Sequence, residues 1–286
     1  MKKIEIALDK KSRGLIVITG CDSGVGKSLV PVLLQMGYKI ILSYLDQNPF
    51  ENEPNVYSRK MDFRKPEEVV GFCHYAKELC QSEGKLEAVI ANAGVALGGS
   101  IENLPMSIYR ECFEINFFGV IEIIQALIPK LIRDKGKIMI HGSMAGRVAL
   151  PFLSPYVSTK FALEGFCDSL RRKMNPFGIK TILLESAAIA TPIWNKAKNQ
   201  DISFVDKKYL KSLYLFRDKF IEGGNSGMDR ELAALKISGI LDKKNPKSRY
   251  IISKNKAGSK LLLLIPSFVL DKAVVKMYEM DYGDHS

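Results

Sequence analysis

The sequence predicts an α/β fold built on a parallel sheet of about seven strands, with helices on both faces. Short, almost continuously apolar runs alternate with helical patterns, which is typical of strands buried on both faces of a parallel sheet. The candidate strands are residues 15–19, 39–45, 56–61, 88–91, 137–141, 181–185 and 249–252. The segments long enough for crossover helices are 23–37, 66–83, 105–133 and 155–176.

The domain organisation follows from length and composition. The 286 residues are 47% hydrophobic and contain no linker or repeat, so we expect one domain over 1–286. Residues 192–245 interrupt the alternation with lysine-rich and aromatic stretches, which is typical of a functional loop, and they are predicted to form a lid. Residues 254–286 are predicted to form a helical tail, with one apolar helix around 261–277.

Charge and cysteine content exclude several classes of protein. The net charge is +11, but the lysines are scattered, so we expect a solvated basic surface and no nucleic-acid partner. The five cysteines lack metal-ligand spacing, so no metal site is predicted and reduced thiols are expected. The first residues lack a signal-peptide core, and the apolar stretch 261–270 is half the ~20 residues that span a bilayer, so a cytoplasmic protein is predicted.

A glycine-rich turn follows the first predicted strand, in the run Thr19-Gly20-Cys21-Asp22-Ser23-Gly24-Val25-Gly26. Gly20 allows a tight turn, Gly24 lets the backbone approach a pyrophosphate, and Gly26 permits close packing of helix on strand. The helix N-terminus adds N–H donors, so the turn predicts a dinucleotide site. Gly26-Lys27-Ser28 is also typical of an NTPase phosphate loop, but five residues rather than four separate Gly20 from Gly26, which excludes that class.

A second motif places a phenol beside an ammonium. Tyr156 and Lys160 are at i and i+4 in the predicted helix 155–176, one turn apart on one face. Because a phenol has a pKa near 10, a nearby ammonium favours the phenolate and makes the phenol a better proton carrier. Tyr250 and Lys254 have the same spacing but start in a strand pattern, where these positions lie ~13 Å apart, so that pair is interpreted as structural.

A serine and a histidine stand at the end of the fifth predicted strand. Ser143 follows strand 137–141, and ligands of such sheets bind beyond the carboxyl ends of the strands, so its hydroxyl is predicted to donate to a substrate oxygen. His141 raises the alternative of a Ser–His hydrolase. The sequence contains no Gly-x-Ser-x-Gly turn, so His141 is interpreted as a hydrogen-bonded structural histidine.

Together, these motifs resemble the short-chain dehydrogenase/reductase family over residues 13–253, and in particular its retinol and 17β-hydroxysteroid dehydrogenase branch. The resemblance implies a doubly wound Rossmann fold with a nicotinamide dinucleotide cofactor. The implied cofactor-binding residues are Gly20, Asp22, Ser23, Gly24, Val25, Gly26, Asp62, Asn92, Ala93, Gly94, Tyr156, Lys160, Ile189 and Thr191. The implied catalytic residues are Asn116, Ser143, Tyr156 and Lys160.

The resemblance also implies an oxidoreductase mechanism. Tyr156 would move the proton of an alcohol hydroxyl, while Ser143 orients the substrate oxygen. Lys160 would bind the nicotinamide ribose and lower the pKa of the tyrosine, and Asn116 would hold a proton-relay water. The family usually has Pro-Gly after the sixth strand, where this chain has Ser186-Ala187. A non-catalytic dinucleotide-binding protein is therefore the alternative function.

The choice of cofactor depends on the charge near the adenosine ribose. A 2′-phosphate needs a cation in the glycine turn or just after the second strand, and this chain has Asp22 and Ser43-Tyr44-Leu45-Asp46 there. Asp46 lies near the spacing expected for a carboxylate on the ribose hydroxyls, although Tyr44 holds the usual acidic position by local register. NAD is therefore the predicted cofactor, and NADP is the alternative.

The apolar character of the predicted lid and tail bears on the substrate. Tyr209, Leu213 and Phe216 recur at near-helical spacing, so one face of a lid helix either covers the site or packs against the body of the fold. If it lines the site, it favours a secondary alcohol or ketone on a bulky apolar frame. The tail 261–270 either forms another wall or contacts a membrane surface, helped by the basic charge. The resemblance further implies a homo-oligomer.

Overall fold

The computed structural model describes residues 13–280 and has a seven-stranded parallel sheet at its centre. Its strands are β1 (Leu15–Ile18), β2 (Lys39–Tyr44), β3 (Val56–Lys60), β4 (Leu86–Ala91), β5 (Lys137–His141), β6 (Lys180–Ser186) and β7 (Arg249–Ile252). Their order across the sheet is β3-β2-β1-β4-β5-β6-β7, so the direction of winding reverses at β1. This reversal opens a crevice at the carboxyl ends of β1 and β4, and it confirms the predicted doubly wound fold.

Helices cover both faces of this sheet. They are α1 (Gly24–Gln35), α2 (Pro66–Ser82), α3 (Met106–Phe113), α4 (Gly119–Asp134), α5 (Ser154–Met174), α6 (Ile193–Lys198), α7 (Lys207–Asn225), α8 (Arg230–Leu241), α9 (Lys256–Leu262) and α10 (Ser267–Met277). On one face α1 and α8 enclose a core that contains Ile16 and Ile40. On the other, α2, α4 and α5 enclose a core that contains the next residue of each strand, Val17 and Ile41. Because successive strand residues point to opposite faces, the continuous apolar runs serve both cores.

One predicted helix is interrupted in the structure. The segment predicted as helix 105–133 consists of α3, a π-helical turn at Glu114–Phe118, and α4. A π-helical turn inserts one residue into the helix and is often found at functional sites. Here it carries Asn116, which has no exposed surface.

The segment 192–245, predicted as a lid, divides into two parts. α6 and α7 lie over the carboxyl edge of the sheet, whereas α8 packs against α1 as a layer of the main fold. Gly223 and Gly224 belong to the last turn of α7.

The tail differs from the single apolar helix predicted around 261–277. It consists of α9 and α10, separated at Pro266. Proline has no N–H to donate and disfavours a helical conformation in the residue before it, so it ends one helix and starts the next. Neither α9 nor α10 contains a buried residue among those described.

Two further features of composition have a structural explanation. Within residues 13–280, the helical stretch Met106–Asp134 is long and apolar enough to cross a membrane, with a mean hydropathy of 1.7. Its residues Ile123, Ile124 and Leu127 are buried in the core beside β4, which accounts for this apolar character. The five cysteines are all free and buried, as expected for reduced thiols.

Candidate active site

A cavity of about 730 Å³ opens at the carboxyl edge of the sheet, where the strand order reverses. Its walls bring together most of the predicted site residues from six separate segments of the chain. Those that line it are Gly20, Asp22, Ser23, Gly24, Val25, Asp62, Asn92, Ala93, Gly94, Ser143, Tyr156, Lys160, Ile189 and Thr191. The volume lies in the range of small-molecule sites.

Three predicted site residues do not line the cavity. Gly26 lies behind the glycine turn, where a Cβ would collide with the carbonyl oxygen of Gly20. Asp46 is exposed beyond the end of β2, and Tyr44 and Leu45 line the cavity instead, so the structure does not bring Asp46 to the site. Asn116 is buried beneath the cavity wall.

The glycine turn adopts a conformation that side chains would disturb. Gly20 has φ +71° and Gly24 has φ +57°, in the left-handed region that glycine tolerates best. A Cβ on Gly20 would lie 2.8 Å from the Cα of Ala93, at the end of β4. Within the described residues, no side chain caps the start of α1 and no acidic residue occupies its first turn. The turn and this helix N-terminus therefore fit a pyrophosphate.

Asn92 holds the glycine turn against the end of β4. Its Nδ2 donates to the carbonyl oxygens of Thr19 at 3.0 Å and Gly20 at 3.1 Å. In return, the hydroxyl oxygen of Thr19 accepts hydrogen bonds from the backbone N–H groups of Asn92 and Ala93. These bonds fix the separation of the two segments that form the floor of the cavity.

His141 and Ser186 form a polar pair where the family usually has the Pro-Gly turn. Asn92 Oδ1 lies 3.0 Å from His141 Nδ1, and an amide oxygen accepts, so Nδ1 carries the proton. His141 Nε2 is then the acceptor for the hydroxyl of Ser186 at 2.8 Å. Burial lowers the pKa of His141 to about 3, and the charge of Lys160 acts in the same direction. The interpretation of His141 as a hydrogen-bonded structural histidine agrees with this geometry.

Ser143, Tyr156 and Lys160 meet on one side of the cavity. Tyr156 and Lys160 lie in the first two turns of α5, and Lys160 Nζ is 5.6 Å from the centre of the Tyr156 ring. The ammonium donates to the carbonyl oxygen of His141 at 3.0 Å. Ser143 starts a short 3₁₀ turn after β5, and its Oγ accepts from the backbone N–H of Ala145.

The pKa values of this group are set by burial. Burial lowers the pKa of Lys160 to about 8, because the charged form loses its hydration. Burial also raises the pKa of Tyr156 above its ordinary value, and a hydrogen bond with Ser143 opposes this shift without reversing it. The expectation that Lys160 lowers the pKa of Tyr156 stays a prediction.

Asn116 acts on the neighbouring backbone. Its Oδ1 accepts from the N–H of Val95 at 2.8 Å, and its Nδ2 donates to the carbonyl of Val95 at 2.9 Å and to Thr159 Oγ1. A Cβ on Gly94 would lie 3.1 Å from Asn116 Oδ1. The π-helical turn thus holds the segment after β4 at a fixed distance from α5. The predicted water at Asn116 stays a prediction.

The end of the cavity near β2 contains a cation that was not among the predicted site residues. The guanidinium of Arg64 donates hydrogen bonds to both carboxylate oxygens of Asp62 and also pairs with Glu111. The hydrogen bonds from Arg64 hold the pKa of Asp62 below its usual range. A cation for a 2′-phosphate is expected in the glycine turn or just after the second strand. Arg64 follows β3 instead and was therefore not predicted.

The opposite end of the cavity is apolar and is built by the lid and the tail. It is lined by Ile193, Trp194, Phe220, Leu262 and Tyr278. Trp194 donates from Nε1 to the carbonyl of Ile189 at 2.7 Å, and its ring lies against Gly224, where a Cβ would collide with it.

The lid face suggested by the sequence has a different position. Leu213 and Phe216 are buried in a separate apolar cluster with Leu153 and Val157, and neither lines the large cavity. Leu213 and Phe216 therefore pack against the body of the fold and do not cover the site. Phe220, one helical turn further on, supplies the cavity wall instead.

The fold and motifs agree with comparisons to known proteins. The family model of short chain dehydrogenases matches residues 14–202. This match covers more than half of the chain, which therefore belongs to the short-chain dehydrogenase family and is an oxidoreductase. The NADPH-dependent 3-dehydrocapnine reductase of Ornithobacterium rhinotracheale is 31% identical over 277 residues, covering 91% of this chain and 95% of that protein.

Two further similarities concern the branch and the fold. Estradiol 17-beta-dehydrogenase 2 of Mus musculus is 32% identical over 216 residues, which are 71% of this chain and 56% of that protein. A short-chain dehydrogenase of Burkholderia phymatum, solved in complex with NAD, superposes with a TM-score of 0.76 at 17% identity. That superposition covers 92% of this chain and 96% of the other.

The neutral state of His141 generates a first prediction. Because its folded pKa of about 3 lies below the value near 6.5 of an unfolded chain, protonation favours unfolding. The contribution of neutral His141 to the free energy of unfolding is complete above pH ~6.5 and is lost as the pH falls toward 3. We expect the His141 ring signals in NMR spectra, assigned with His141→Gln, to stay unchanged between about pH 5 and 8.

The stability of the same two proteins provides the control. From pH 7 to 5, the wild type should lose more unfolding free energy than His141→Gln does, because the variant lacks this group. A titration of the His141 ring with a midpoint near 6.5 would contradict the assignment.

Proposed function

We propose that this protein is an NAD(P)(H)-dependent oxidoreductase that interconverts a secondary alcohol and a ketone on an apolar substrate. The observation that carries the proposal is the single cavity that joins the glycine turn to Ser143, Tyr156 and Lys160. One end of it fits a dinucleotide and the other is apolar. A hydroxyl, a phenol and an ammonium therefore lie where the two ligands would meet.

In the proposed reaction, Tyr156, Ser143 and Lys160 have different roles. A nicotinamide dinucleotide, when bound, supplies or accepts the hydride. Tyr156 Oη donates a proton to the substrate oxygen in reduction and accepts it in oxidation, while the hydroxyl of Ser143 orients that oxygen. Lys160 is anchored by the carbonyl of His141, and its three N–H donors can bind ribose hydroxyls as well. A pKa of about 8 leaves Lys160 mostly protonated at neutral pH.

The alternative of a non-catalytic dinucleotide-binding protein rests on Ser186-Ala187 in place of Pro-Gly. In the structure, the hydroxyl of Ser186 donates a hydrogen bond to His141, so the segment that replaces Pro-Gly is fixed at the cavity wall. Ser143, Tyr156 and Lys160 line the cavity, and Asn116 lies directly behind its wall. No observation favours the non-catalytic alternative.

The substrate class follows from the wall formed by Trp194, Phe220, Leu262 and Tyr278. Burying apolar surface against such side chains contributes roughly 25 cal/mol per Å², so a bulky apolar frame gains most of its affinity here. One relative has a name that specifies estradiol, a large apolar alcohol, and this supports the proposed substrate class.

We also propose that a second copy of the chain packs on the outer face of α4 and α5. Phe118 and Phe161 are exposed on the neighbouring π-helical turn and α5, which is uncommon for large apolar side chains on an unpartnered surface. In this proposal, the homo-oligomer that the resemblance implies forms through this face.

Tyr156→Phe tests the proposed chemistry. It should abolish turnover and leave the affinity for the dinucleotide nearly intact, because only the proton-carrying oxygen is removed. Steady-state rates and a fluorescence titration of the reduced cofactor measure the two quantities.

Tyr250→Phe is the matched control for this test. Tyr250 has the same spacing to a lysine, lies on β7 outside the cavity and accepts a hydrogen bond from the N–H of Lys247. This control should keep both activity and cofactor affinity. Retention of more than a few per cent of the wild-type rate by Tyr156→Phe would show that the assignment is wrong.

Cofactor preference is the next prediction. Arg64 is paired with Asp62 and Glu111, and the glycine turn carries Asp22, so we expect kcat/KM to be higher with NAD(H) than with NADP(H). Arg64→Gln should leave the ratio of the two kcat/KM values nearly unchanged. A tenfold preference for NADP(H) that disappears in Arg64→Gln would instead identify Arg64 as a ligand of the 2′-phosphate.

Substrate size tests the apolar wall. In a series of ketones of increasing apolar size, kcat/KM should rise for the wild type. It should rise less for Phe220→Ala, which loses about 1–3 kcal/mol of contact with the largest members. Phe177→Ala, at an exposed aromatic outside the cavity, is the matched control and should follow the wild type. A flat wild-type series, or highest activity on a small polar substrate, would refute the proposed substrate class.

A further inference from the structure

The tail has an unusual surface for a segment that follows the last strand. Its most exposed large apolar side chains are Leu261, Leu264 and Phe268, with 64%, 77% and 64% of their surface accessible. Val275 lies two helical turns after Phe268 on the same side of α10 and is also exposed. This concentration of exposed large apolar side chains in one segment is uncommon on a monomer surface and indicates a binding partner.

The charge of the same segment identifies the partner. Residues 254–280 contain five lysines and two acidic residues. Within the described part of the chain, none of these lysines belongs to an ion pair, whereas Glu279 is neutralised by Lys211. Free ammonium groups flank the apolar side chains, with Lys260 directly before Leu261 and Lys272 one turn after Phe268. This combination of apolar and cationic groups matches an anionic lipid surface.

The geometry favours a position on the bilayer rather than across it. The 11 residues of α10 span about 16 Å, roughly half of the hydrocarbon core. The inner side of the segment belongs to the protein: Val274 and Tyr278 pack with Phe216, and Leu262 and Tyr278 line the large cavity. One segment therefore forms both the exposed apolar surface and a wall of the cavity.

We propose that α9 and α10 dock this protein on an anionic membrane surface and place the apolar end of the cavity next to the lipid. Leu261, Leu264 and Phe268 enter the interface, and the lysines contact the phosphates. An apolar substrate dissolved in the bilayer then reaches the cavity along Leu262 and Tyr278 without crossing water. The docking is inferred from the tail residues alone, whereas the route of the substrate also rests on the proposed function.

Vesicle flotation of the full chain tests the docking without any turnover. The wild type should float with phosphatidylcholine vesicles that contain about one third phosphatidylglycerol, and high salt should weaken this binding. The double variant Leu264→Ser with Phe268→Ser should bind at least about tenfold more weakly. Replacing Lys260, Lys272 and Lys276 by Gln should remove the preference for anionic vesicles.

The matched control for the flotation is Phe177→Ser. Phe177 is exposed to 47%, precedes β6 and so lies at the opposite edge of the sheet, and its loss should leave vesicle binding unchanged. Circular dichroism melting shows that each variant is folded. Absence of vesicle binding, or binding that the double variant retains, would overturn the proposal. A wild-type dimer that the double variant converts to monomer, without vesicle binding, would instead assign this face to a second copy.

A second arm addresses the route of the substrate. The double variant should lower kcat/KM for a long-chain ketone embedded in anionic vesicles by at least about tenfold and leave kcat/KM for a short water-soluble ketone unchanged. If vesicle binding is lost and both ketones react as in the wild type, the docking stands and the lipid route fails. If neither ketone reacts with any protein, the proposed function fails while the flotation result still decides the docking.

Discussion

The side-chain amide of Asn92 is the interaction on which the carboxyl edge of the sheet depends. Its nitrogen binds two carbonyl oxygens of the glycine turn, and its oxygen binds His141. Through His141 the same amide reaches Ser186 at the end of β6 and, by way of the His141 backbone, Lys160. Four segments that are distant in the sequence are therefore held by one group. Because these bonds join part-buried donors and acceptors in one network, loss of one side chain leaves several partners without a hydrogen bond.

This network also determines the electrostatics of the site. His141 must remain neutral, since both ring nitrogens are engaged and its surroundings are buried beside an ammonium. Burial then shifts the pKa of Lys160 downward and that of Tyr156 upward. Both shifts favour the uncharged forms of the two side chains.

The features of this protein that can be predicted from its sequence are the local ones. The five inner strands were predictable because burial on both faces imposes an apolar run. The glycine turn was predictable because backbone geometry fixes its spacing. Side chains that meet only through tertiary packing were not predictable: Arg64 reaches the cavity from beyond β3, and Phe220 rather than Phe216 lines it. The hydrogen bond between His141 and Ser186 joins residues 45 positions apart, and no sequence pattern in either segment predicts it.

The contact between Trp194 and Gly224 has an optical consequence. Trp194 is the single tryptophan of the chain, and it lies between the segment after β6, the last turn of α7 and the ring of Phe220. Any displacement of α7 away from the sheet separates the indole from Gly224 and exposes it to water. The tryptophan fluorescence of the unmodified protein therefore reports on one wall of the cavity alone, without a label and without a background from other indoles.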